Sequence, residues 1–173
     1  MKSRTSAPAA RSAASMNRGS RFAAPGISDN DTAQANVVVQ SAINLTMVDA
    51  TFTLTGTPTT TQTEVSAIDF NVQTNNALGY AVTVQAAAAN MVGTGLNADV
   101  IPTTSLRVKE TGTAQAFTPL TVAGGGGAAV TVHSQATKSA DAGDNISSDY
   151  QLVVPFVNED TYTATLNYVA TTL

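Results

Sequence analysis

The chain has 173 residues, of which 12% are charged, with one His, no Cys and no Trp. The absence of Cys excludes a disulfide scaffold, a thiolate zinc site and a thiol nucleophile, and a lone His excludes a multi-His metal centre. No apolar run approaches the ~18–20 residues that a spanning helix needs, so a membrane is not expected as a partner.

Charge divides the chain. Five of the eight cations, Lys2, Arg4, Arg11, Arg18 and Arg21, precede the first acid, Asp29. Residues 1–28 thus carry +5, whereas residues 29–173 hold three cations and all twelve acids, a net −9. The first segment is rich in Ser, Ala, Arg and Pro, and Phe22 is its one aromatic. Such a stretch buries too little apolar surface to fold alone and reads as an extended arm. It lacks the 7–15-residue apolar core of a secretory signal. An acid-free, Arg-rich start also fits a mitochondrial transit peptide, but an arm docked on protein is the expectation. Residues 29–173 are expected to form one domain.

Ala, Thr and Val occupy 74 positions, and the Thr and Val excess favours strands. From Gln34 on, apolar residues alternate with small polar ones. Val37, Val39, Ile43, Leu45 and Met47 form one period-2 series. Phe52 and Leu54 follow within ATFTLTG, and then Val65, Ile68, Phe70 and Val72. After the turn signal TNNALG come Tyr80, Val82 and Val84. AAAAN at 86–90 allows at most one helical turn. Leu106 with Val108 comes next, and then Phe117, Leu120 and Val122. Four glycines at 124–127 mark a hairpin tip before Val130 and Val132. DYQLVVPFV (149–157) and TYTATLNYVA (161–170) read as the last two strands. About eight to nine short strands with regular turn signals predict an all-β, Ig-like antiparallel β-sandwich behind the extended N-terminal arm. The chain holds only nine aromatics, and the eight after Phe22 are spread over this pattern of small residues.

Two stretches carry a family resemblance. AIDFNVQTNNALGYAVTVQA (67–86) resembles a hairpin of bacterial surface β-sandwich domains, the WxL-like and spore-coat-U-like modules. Asn75, Asn76 and Gly79 tolerate positive φ in its loop, and Tyr80 starts the returning strand. VVPFVNEDTYTATLNYVA (153–170) resembles the closing hairpin of those modules. The resemblance implies an Ig-like sandwich built from scaffold residues and carries no activity. The Trp-x-Leu motif of the surface proteins is absent.

Candidate chemistry is sparse. His133 lies on a strand beside Ser134, facing away from the valines or ending the strand, and no G-x-S-x-G elbow accompanies it. Asp141, Asp144 and Asp149 could ligate Ca²⁺, but their spacing departs from D-x-D-x-D-G and reads as turn chemistry. The glycine run lacks the Lys-Ser/Thr and the helix of a phosphate loop. Neither a catalytic set, a metal nor a cofactor is expected. The arm residues Lys2, Arg4, Arg11, Arg18, Arg21 and Phe22 are the candidate partner-binding set. Their cations are sparse and not interleaved with aromatics, so protein docking is expected ahead of nucleic acid.

A sandwich of export-type composition without an export signal fits a virion assembled in the cytoplasm. The expectation is a non-enzymatic bacteriophage decoration (cement) protein. Its partners would be the major capsid or another virion protein and neighbouring copies of itself. The alternatives are a bacterial surface or matrix module, such as an adhesin or coat component, and a small coat protein whose arm faces nucleic acid.

Overall fold

The structure, a computed structural model, describes Gly26, residues 29–95 and residues 97–173. Apart from Gly26, the expected arm lies outside the described residues. Residues 29–42 are exposed and without regular secondary structure. All the strands belong to one compact unit, Val39–Leu173.

They are β1 (Ile43–Asp49), β2 (Thr61–Thr74), β3 (Tyr80–Ala86), β4 (Asn90–Gly93), β5 (Val100–Pro102), β6 (Arg107–Glu110), β7 (Thr118–Pro119), β8 (Val130–Gln135), β9 (Asp144–Val153), β10 (Tyr162–Thr163) and β11 (Leu166–Thr172). Three of these span two or three residues, which leaves eight of four or more, in line with the expected eight to nine. A single 3-10 turn, Thr103–Ser105, is the helical element among the described residues. Residues 87–89 simply bend between β3 and β4.

Every ladder between these strands is antiparallel, and they form three sheets, β1-β2-β9-β6-β7, β11-β3-β8 and β10-β4-β5. The first two face each other. Phe70, Val72, Ile146 and Tyr150 from one, and Tyr80, Val82, Val84 and Val132 from the other, are buried in one core. Between the layers the Phe70 and Tyr168 rings lie 5.3 Å apart, and the Tyr150 and Tyr168 hydroxyls share a 2.7 Å hydrogen bond. The chain is an all-β antiparallel sandwich.

The sequence patterning differs from the fold in instructive places. Residues 67–86 do not form a hairpin, because β2 pairs with β1 and β9 while β3 pairs with β11 and β8. The turn at 75–79 instead carries the chain from one sheet to the other. Phe70 and Val72 thus look across the core at Tyr80 and Val82, all of them wholly buried. The same holds for residues 153–170. β9 ends at Val153 in the first sheet and β11 lies in the second, so they make no closing hairpin, and β10 pairs with β4. Period-2 alternation fixes which side chains face the core, but it is identical for a hairpin and for an arch between layers.

Other strands are shorter than the patterning suggests. β1 starts at Ile43, leaving Val37 and Val39 outside any strand and 87% and 77% exposed. Pro155 follows the end of β9, and Phe156 is 90% exposed instead of contributing to the core. Phe52 and Leu54 pack against the core from irregular chain. Val65 is exposed because a bulge interrupts β2 between Glu64 and Ile68, with Ser66 at φ 51°. The glycine run is a loop that leaves the first sheet after β7 and enters the second at β8, so it tips no hairpin. In the 75–79 turn only Gly79 takes positive φ. The two asparagines act through their amides. Asn75 bonds Ala42 N–H and the Gln40 carbonyl, each at 2.8 Å, and Asn76 Nδ2 donates to the Gly79 and Leu173 carbonyls.

Candidate functional site

Where β8 crosses β6 and β9, the core becomes polar. A register shift opposite Val82 and Thr83 puts His133 across from Val82, so the ring turns inward instead of away from the valines. It packs on Tyr80, 5.4 Å between ring centres, and its Nδ1 lies 2.8 Å from Glu110 Oε1. Ser134 is the next strand residue and therefore points to the opposite face, where it is exposed. The geometry that a Ser–His pair needs is absent at these two residues.

Beside this pair, the buried Tyr80 hydroxyl donates to Asp144 Oδ2 at 2.8 Å, and Gln135 Nε2 donates to the same oxygen. Asp144 Oδ1 accepts from Ala140 N–H at 3.1 Å. The whole set ties one sheet to the other. Burial raises the Tyr80 phenol well above its ordinary value, and the Asp144 carboxylate adds to the shift. Burial likewise raises Tyr150 and Tyr168.

These phenols are expected to set an alkaline limit to stability. Each holds its proton more tightly folded than unfolded. Their contribution is therefore complete below the unfolded phenol value of about 10 and declines as pH rises past it. The melting midpoint should be level from pH 7 to 9 and fall steeply above about pH 10. A midpoint unchanged at pH 11 would contradict this arrangement.

The three candidate calcium ligands do not converge. Asp141 is exposed beside Lys138, with 3.7 Å between the charges, and Asp144 is committed as above. Asp149 sits on β9 with its side chain on the outer face of the sheet, yet it is buried. The β2 bulge covers it. Val65, Ser66 and Ala67 all oppose this one residue, and Ser66 N–H donates to its Oδ1 at 3.0 Å. The Thr111 hydroxyl donates to the same oxygen, and Lys109 Nζ lies 3.4 Å from Oδ2. Lys109 in turn sits over the Phe117 ring. Burial alone would raise this carboxyl, but the bonds from Thr111, Ser66 and Lys109 outweigh it and hold the group below the ordinary carboxylate value. Among the described residues, no three His, Asp or Glu side chains gather as a metal cluster.

A large concavity lies at the end of the sandwich carrying β4, β5 and β10. It is a groove of about 750 Å³, with Met91, Ile101, Leu106 and Leu152 among its apolar lining and Phe52 and Leu54 along it. Glu159 and Asp160 also line it, and among the described residues no Lys or Arg does. Asp160 fixes the loop there by accepting from Gly95 N–H, Asn97 Nδ2 and Thr161 N–H. The Gly95 bond in particular lowers its carboxyl and keeps it ionised. Residue patterning signals neither this groove nor the covered Asp149, because both depend on which strands become neighbours. The candidate binding residues Lys2, Arg4, Arg11, Arg18, Arg21 and Phe22 lie outside the described residues.

Neither a protein-family model nor a curated protein sequence matches the chain.

Proposed function

We propose that the chain is a non-enzymatic structural protein of a virion, a decoration protein whose sandwich stands on a shell and whose arm holds neighbouring subunits. The observation that carries this reading is the division of charge. All five cations of residues 1–28 precede the first acid, while residues 39–173 hold ten acids against three cations. Opposite charge on two parts of one chain favours contact between copies, or with an acidic shell, and weakens as salt rises. The sandwich supports a scaffold role. Tyr80, Asp144, His133, Glu110 and Asp149 are each spent on bonds that join strands or sheets.

Deleting residues 1–28 tests the reading. The truncated chain should remain folded, soluble and monomeric, and should no longer join particles that the full chain decorates. Normal occupancy by the truncated chain would move the anchor to the sandwich. Retardation of DNA or RNA by the full chain alone would favour the coat-protein alternative.

A further inference from the structure

We propose that the groove at the β4–β5–β10 end is the receptor for the arm of a second copy, with Phe22 seated on its apolar floor and Arg21 against Glu159. The inference rests on the reading of the arm as the element that holds neighbours, and it names where that arm lands. Four observations converge on this occupant.

First, the floor is apolar and about 750 Å³ in volume, within the range of sites that enclose a ligand of several residues' bulk. Second, the rim is acidic, with Glu159 and Asp160 lining it and no cation among the described residues doing so. Third, Phe156 lies between two lining residues, Pro155 and Val157, and is 90% exposed. Aromatic residues are enriched at protein interfaces, and this one is left in water on chain that borders the groove. Fourth, the arm offers the matching chemistry. Phe22 is its single aromatic, with Arg21 beside it and Arg18 four residues before it. Phe and Arg are both enriched at protein interfaces, and Arg at their hot spots. Fully extended, 28 residues reach at most about 90–100 Å, ample to cross onto a neighbour.

Glu159 is suited to a charge-swap experiment, because it is exposed and its side chain accepts no hydrogen bond among the described residues. In the full-length protein at low salt, Arg21→Glu and Glu159→Arg should each weaken self-association about tenfold by sedimentation, and combining them should restore it. Phe22→Ala should weaken it by roughly thirtyfold at any salt. A photo-crosslinking phenylalanine at position 22, in a mixture of isotope-labelled and unlabelled copies, should join labelled to unlabelled chains within residues 52–58 or 153–162. Crosslinks confined to single copies or falling elsewhere would overturn the proposal, as would a double variant no better than the singles. If residues 1–28 are required for particle binding while position 22 crosslinks elsewhere, the proposed function stands and this receptor site falls.

Discussion

Gly79→Val is expected to unfold the domain or lower its melting midpoint by 10 °C or more. Gly79 sits at φ +94°, a conformation that costs a β-branched residue roughly 1–3 kcal/mol. Space is the larger obstacle. A Cβ there would lie 1.8 Å from the Gln135 carbonyl oxygen and 2.7 Å from Thr137 N, both main-chain atoms of the chain leaving β8. Main chain cannot rotate aside as a side chain can. The turn would have to move away from β8, pulling Tyr80 and with it the hydrogen bond to Asp144. A total cost of about 3 kcal/mol or more follows, equivalent to roughly 10 °C for a domain of this size. Gly112→Ala provides the comparison, since φ is +73° there but nothing lies within 4 Å of the added atom. Its cost should be confined to backbone strain, about 1 kcal/mol. Equal melting midpoints for the two variants would show that the close approach at Gly79 is not what the turn requires.

The same turn shows how far the residues alone carry. Its position, its glycine and the four core residues around it are legible, because they follow from local rules: alternation assigns faces, and a glycine among asparagines marks a turn. Pairing is not local. Nothing in AIDFNVQTNNALGYAVTVQA distinguishes strands that bond to each other from strands that face each other across a core. That choice depends on β9 and β11, whose paired residues lie 72 to 92 positions along the chain and take the places a hairpin partner would hold. Val37 and Val39 mark the opposite limit. They continue the alternation of β1, but a strand needs a partner edge, and β2 ends at Thr74 opposite Ile43. Propensity without a partner leaves them exposed.

Candidate chemistry was legible in proportion to how local it was. That His133 lacks a nucleophile beside it follows from strand alternation at Ser134. Its contact with Glu110 does not, because it requires β8 to shift register by one residue. The groove is less legible still, since its lining comes from five separate stretches of chain, none of which carries a motif. The arm is the reverse case. Its charge is plain from composition, and the receptor proposed for it rests on acidic and apolar residues that only the fold brings together.

Asp149→Ala is expected to destabilise the domain by about 3 kcal/mol at neutral pH. The carboxylate holds the bulge of the longest strand, where three residues of β2 oppose a single residue of β9. Removing it leaves the Ser66 N–H and the Thr111 hydroxyl without their acceptor under a covered surface, at about 1–3 kcal/mol for such a group. The loss of Lys109's partner adds less, because its side chain is 20% exposed and can turn its charge to water. Asp149→Asn should cost about half as much, since the amide oxygen can still accept from Ser66. The acid dependence separates this account from a simple packing loss. The folded carboxyl titrates below its unfolded value of about 3.9, so its contribution is complete above that value and disappears as pH falls through the lower, folded one. Stability of the native chain should therefore drop below pH 4 more steeply than that of Asp149→Ala, and the two curves should converge in acid. Parallel curves from pH 7 to pH 2 would mean that the carboxylate's charge contributes nothing and that the bulge is held by its neighbours alone.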